Sequence, residues 1–72
     1  MNNLNVAKIQ LNGDPYEING KTNLIGLLNK LKIQKNKVAI EVNGEIIQRE
    51  RYESLVLNKN DKVEIVHFIG GG

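Results

Sequence analysis

The sequence contains no cysteine, no tryptophan, one proline and one histidine. Without cysteine the chain has no disulfide, no thiolate metal site and no cysteine nucleophile. One histidine and dispersed carboxylates leave too few groups for a resident metal or a general acid/base pair. We therefore expect no bound cofactor, no metal and no catalysis by the chain alone.

Long apolar runs are missing too, and the polar residues after Met1 do not form a secretory signal. No stretch approaches the ~20 apolar residues of a membrane-spanning helix. The formal charge of +2 is spread along the chain, and the loose basic stretch 30–37 has no interleaved aromatic residues, unlike a nucleic-acid binder. We expect a cytoplasmic monomer without nucleic-acid or membrane partners.

At 72 residues, the chain is predicted to form a single domain over residues 1–72. The alternating segments Val6–Leu11 and Val38–Val42 are predicted strands, and each is followed by an Asn-Gly pair that favours a type I′ turn. Residues 15–18 and 45–48 would return from these turns. The first return begins with proline, which is typical of an edge strand.

Four leucines, Leu24, Leu27, Leu28 and Leu31, have the spacing of one helix face. Thr22 or Asn23 would cap this helix, and Gly26 would allow it to pack closely on the sheet. Residues 49–53 are predicted to be irregular, 54–57 at most a short strand, and 62–68 the last strand.

This order predicts an α+β protein with the β-grasp fold. We expect a mixed sheet of four to five strands, one helix across one face, and the last strand beside the first. Residues 69–72 would form a flexible tail. Because glycine lacks a Cβ, Gly70, Gly71 and Gly72 can thread through a narrow channel, which indicates that the terminal carboxylate is the reactive group.

The final segment Val-Glu-Ile-Val-His-Phe-Ile-Gly-Gly-Gly, residues 63–72, resembles the ThiS family of ubiquitin-like sulfur carriers of thiamine biosynthesis. The middle segment Val-Asn-Gly-Glu-Ile-Ile, residues 42–47, with Arg49 and Tyr52, is similar to that family as well. The resemblance covers essentially the whole chain, and its tail is the most specific part.

The resemblance implies that the chain is a protein co-substrate. An E1-like, ThiF-type enzyme would use ATP to adenylate the carboxylate of Gly72. Sulfur from a cysteine-desulfurase route would then replace AMP, and the thiocarboxylate would donate sulfur to a ThiG-type thiazole synthase. Gly70 and Gly71 would supply the reach of the tail.

Docking needs a surface in addition to the tail. Val66 and Phe68 alternate with Val63 and Ile65 in the last strand, so they are predicted to point outward as an exposed apolar surface for a partner. His67 is assigned no role. Arg49 and Arg51, with Tyr52, have two interpretations, a partner contact or a solvated loop, and the solvated loop is slightly favoured.

Two alternatives stay open at this point. The small subunit of molybdopterin synthase also ends in Gly-Gly, but it is usually longer and tends to have prolines before its tail. A non-catalytic β-grasp interaction module, in which the glycines do nothing, is the alternative from a different class.

Overall fold

The computed structural model describes residues 6–69, which form a five-stranded sheet and one α-helix. The strands are β1 (Val6–Leu11), β2 (Asp14–Asn19), β3 (Val38–Val42), β4 (Glu45–Ile46) and β5 (Lys62–His67), and the helix is α1 (Leu24–Leu31). The strand order is β2-β1-β5-β3-β4. Because β5 is parallel to β1 and antiparallel to β3, the predicted β-grasp fold with a mixed sheet is confirmed.

Two Asn-Gly turns set the register of the hairpins. Asn12 and Gly13 have φ values of 49° and 89°, and Asn43 and Gly44 have 54° and 85°. Both positions of each turn are therefore left-handed, as a type I′ turn requires. The strand β2, which carries Pro15, lies at the edge of the sheet as predicted.

The N-terminus of α1 is fixed by Asn23. Its side-chain oxygen accepts a hydrogen bond from the Gly26 N–H at 2.7 Å, and its Nδ2 donates to the Glu53 carbonyl at 2.9 Å. Leu24, Leu27 and Leu28 are fully buried against the sheet. Burial of each leucine contributes about 1.5 to 3 kcal/mol.

The prediction that Gly26 allows close packing on the sheet is wrong. A Cβ at this position would lie 3.2 Å from the Asn23 Oδ1 and 3.4 Å from the Thr22 Cγ2. The close neighbours are thus the N-cap and the residue before it. Glycine leaves room for the capping side chain of its own helix.

Some element bounds differ from those predicted. β4 covers only the first two residues of 45–48, and residues 54–57 contribute only an isolated bridge between Val56 and Asn23. β5 ends at His67, one residue before the predicted end. A 3₁₀ turn over Lys35–Lys37 was not predicted, whereas the irregular segment after β4 contains a 3₁₀ turn over Arg49–Arg51.

The core lies between α1 and the inner face of the sheet. It is aliphatic except for Tyr52, which is 2% exposed. The interpretation of Tyr52 as part of a solvated loop is therefore wrong. Its carbonyl accepts a hydrogen bond from the Ile25 N–H at 3.2 Å, so the segment after β4 is tied to the first turn of α1.

We predict that Asn23→Ala lowers the free energy of unfolding by about 1 to 2 kcal/mol, because the Gly26 N–H loses its acceptor. Urea unfolding measures this change. Asn29→Ala is the control at an exposed helix position and is expected to stay within about 0.5 kcal/mol of wild type. Equal stability of both variants would contradict the capping role.

Candidate functional site

The two faces of β5 differ in exposure. Val63 and Ile65 are buried beneath α1, whereas Val66 is 60% exposed and Phe68, just past the strand, is 57% exposed. The predicted outward orientation of Val66 and Phe68 is confirmed. These two apolar side chains therefore lie in solvent directly before the last glycines of the sequence.

Neighbouring strands extend this apolar surface. Ala39 of β3 pairs with Val66, and Ile46 of β4 is 67% exposed. Phe68, Ala39 and Ile46 line one open groove of about 260 Å³. We call the group of Ala39, Ile46, Val66 and Phe68 the exit surface. Large exposed apolar patches on a monomer mark interaction sites.

Sequence reasoning missed Ala39 and Ile46. Ile46 precedes Ile47, which is buried, and two consecutive isoleucines in a strand must face opposite sides. That signal was available, but only strand pairing shows that these residues share a surface with Val66. β3 pairs with β5 through Ala39 and Val66, and β4 pairs with β3 through Ile46 and Glu41.

The backbone of β5 is held at several points. The Ile65 N–H donates to the Asn12 Oδ1 at 2.7 Å, and the Lys62 N–H donates to the Asn43 Oδ1 at 2.9 Å. Beyond the strand, the Phe68 N–H donates to the Lys37 carbonyl at 2.9 Å. The chain is thus fixed by hydrogen bonds up to Phe68, and Ile69 is 99% exposed.

The polar residues near the exit surface are solvent-exposed. Arg49 lines the groove beside Phe68. Arg51, at the end of the same 3₁₀ turn, and His67, next to Phe68, are exposed as well. The predicted solvated position of the two arginines is confirmed. Nothing in the geometry gives His67 a role.

Within the described range 6–69, no three His, Cys, Asp or Glu side chains are grouped so that they could hold a metal ion. In that same range, no helix has the length and apolar character needed to cross a membrane. The predicted tail residues Gly70, Gly71 and Gly72 lie outside the described residues. The site residues that the structure does describe are those of the exit surface.

Comparison with known proteins shows the family of the chain. The model of the ThiS family matches residues 9–72. The chain belongs to the ThiS family. The sulfur carrier protein ThiS of Bacillus subtilis is 42% identical over 65 residues, covering 89% of this chain and 98% of that protein. The resemblance seen in the final strand is thereby confirmed.

Solved structures of the ThiS family have the same fold. The crystal structure of the thiamine biosynthesis protein ThiS from Geobacter metallireducens matches with a TM-score of 0.76 and 35% identity. The match covers 90% of this chain and 99% of that one. The β-grasp fold is therefore shared over almost the full length of both chains.

A longer relative contains a ThiS-like segment as one part. The thiazole synthase of Magnetococcus marinus is 46% identical over 65 residues, covering 90% of this chain but 20% of that protein. The chain thus spans about a fifth of the length of this relative. In that protein, a segment similar to this chain shares one polypeptide with the remainder of a thiazole synthase.

Proposed function

We propose that this ThiS-family chain is a sulfur carrier of thiamine biosynthesis whose Gly72 carboxylate is activated by a partner enzyme. The observation that carries the proposal is the exit surface. Val66 and Phe68 stay in solvent at the end of a strand that is fixed by hydrogen bonds, and the sequence continues from there into Gly70, Gly71 and Gly72.

The chemistry begins with activation, because a carboxylate is anionic and lacks a good leaving group. A carboxylate oxygen of Gly72 attacks the α-phosphorus of ATP, and pyrophosphate leaves. The product is an acyl-adenylate. A ThiF-type enzyme supplies the nucleotide site and the catalytic groups for this step.

Sulfur then replaces the nucleotide. A persulfide from a cysteine-desulfurase route attacks the carbonyl carbon through its terminal sulfur, and AMP leaves. A thiol then reduces the resulting acyl disulfide by two electrons, which releases the thiocarboxylate and a new disulfide. The resulting thiocarboxylate sulfur is a strong nucleophile. It is donated to a ThiG-type thiazole synthase for ring formation. The thiazole synthase name of the Magnetococcus relative supports this partner.

The chain would contribute a tail long enough to reach the active site of its partner and a surface that the partner recognises. Three extended residues span about 10 Å, so Gly70, Gly71 and Gly72 suffice to bring the carboxylate from a docked domain into a recessed site. The exit surface would pack against the activating enzyme, since interface cores are more apolar than the surrounding surface. No catalytic group is required from the chain itself.

Intact mass tests the chemical step. After incubation with a ThiF-type enzyme, ATP, cysteine, a cysteine desulfurase and a thiol reductant, the chain is expected to gain the mass difference between a sulfur and an oxygen atom. Deleting Gly72 should abolish the gain, because the reacting carboxylate is displaced by one residue, while the unfolding transition stays unchanged. A chain that never gains this mass, or a shortened chain that still does, would refute the proposal.

Phe68→Ala tests the docking surface. Because Phe68 is largely exposed, we expect a folded variant with about the wild-type stability but a lower rate of adenylation, measured as pyrophosphate release. Val6→Ala is the matched control. It removes an exposed apolar side chain on β1, near the opposite end of the sheet, and should be adenylated normally. Equal rates for both variants would exclude Phe68 from docking.

A further inference from the structure

The turn before β3 is held against the residue that follows β5. Its residues Lys35–Lys37 form a 3₁₀ turn, and the Lys37 carbonyl accepts the hydrogen bond from the Phe68 N–H at 2.9 Å. Val38 pairs with His67 in the antiparallel pairing of β3 and β5. The next residues on each side, Lys37 and Phe68, are therefore opposite each other. A basic turn therefore borders the exit surface where the chain leaves the sheet.

A second basic segment borders the exit surface from the other side. Arg49 lines the groove that also contains Phe68, Ala39 and Ile46. We call the exposed cations of the two 3₁₀ turns the basic rim: Lys35, Lys37, Arg49 and Arg51.

Positive charge is concentrated at this rim. The two segments 35–37 and 49–51 contain four cations and the single carboxylate of Glu50, a formal charge of +3. The whole chain carries +2, so the remaining residues together carry −1. The small net charge of the whole chain therefore does not reveal that these two segments carry a net positive charge of their own.

The fold does not account for the lysines of the rim. Lys30 has a structural contact, since its Nζ lies 3.3 Å from the Glu17 carbonyl oxygen and 5.2 Å from the centre of the Tyr16 ring. Lys35 and Lys37 come after the last turn of α1, where the helix dipole has decayed. Neither the helix nor a neighbouring strand explains why a cation follows two residues after Lys35 at the position hydrogen-bonded to Phe68.

We propose that the basic rim docks against an acidic protein surface around the opening through which the activating enzyme receives the tail. This inference rests on the proposed function. Complementary charge raises the rate of productive encounter and fixes orientation. A rim at the base of the tail would align the last glycines with the opening before the exit surface makes contact.

A nucleic acid fits the arrangement less well. Nucleic-acid sites combine basic residues with aromatic platforms on which successive bases stack. The exit surface has one aromatic ring, that of Phe68, and its other members, Ala39, Ile46 and Val66, suit the apolar core of a protein interface.

The test is direct binding of the chain to a purified ThiF-type adenylating enzyme without ATP, measured by titration calorimetry. The variant is Lys35→Gln with Lys37→Gln. The matched control is Lys8→Gln with Lys59→Gln, two exposed lysines at the opposite end of the sheet, where the Asn60 N–H donates to the Lys8 carbonyl. Binding is compared at about 0.01 M and about 0.15 M salt, where the Debye lengths are about 30 and 8 Å.

We expect the rim variant to bind about three- to tenfold more weakly at the lower salt, with a smaller change between the two salts. The control should keep the wild-type affinity and salt dependence. A rim variant that matches wild type at both salts would overturn this inference while leaving the proposed function intact. If the wild type binds as described but is never adenylated, the proposed function fails and the rim stands.

Two further outcomes also decide the question. Wild-type chain that does not bind the enzyme at all contradicts both the rim and the docking surface. Fluorescence anisotropy with a labelled single-stranded RNA oligonucleotide measures whether the chain binds RNA, the alternative partner of the basic rim. RNA binding that is lost in the rim variant, together with unchanged enzyme binding, would assign the rim to nucleic acid and overturn the inference.

Discussion

The central position of β5 is the constraint on which the rest of the structure depends. The strand lies between β1 and β3, and it is tied to both Asn-Gly turns through the side chains of Asn12 and Asn43. The bond from the Phe68 N–H to the Lys37 carbonyl carries this order one residue past the strand. The chain thus leaves the sheet in a defined place and direction.

Successive side chains of β5 point to opposite faces of the sheet, so different residues stabilise the fold and face a partner. Val63 and Ile65 are packed beneath α1, while Val66 and Phe68 face solvent. Because burial carries most of the stabilisation, the inner residues hold the fold and the outer ones are free to meet a partner. In the proposed carrier role, this division would let a partner recognise the surface without disturbing the core.

Local sequence signals predicted most of the fold. Asn-Gly pairs have few structural alternatives to a left-handed turn, and the leucine spacing of α1 fits only a helix. Tyr52 was interpreted wrongly because its environment comes from distant residues, and Gly26 because the group that approaches it is the N-cap of its own helix rather than the sheet. A glycine in a helix does not reveal which group approaches it, and the charged residues around Tyr52 resemble an exposed loop although the ring reaches the core.

The candidate site was predictable only where it depends on local sequence. Val66 and Phe68 follow from alternation within one strand, whereas Ala39 and Ile46 join them only through strand pairing. The basic rim likewise depends on two turns that are far apart in sequence. The total charge conceals this arrangement, because carboxylates such as Glu41 and Glu64 lie nearer the other end of β3 and β5.

The most direct measurement of the central claim is an NMR titration of the isotope-labelled chain with a ThiF-type adenylating enzyme. The account predicts that the backbone amide signals of Ala39, Ile46, Val66 and Phe68 shift or broaden first, while those of Glu17 on β2 and Asn29 on α1 stay in place. Changes concentrated on α1 and β2, with the exit surface unaffected, would contradict it.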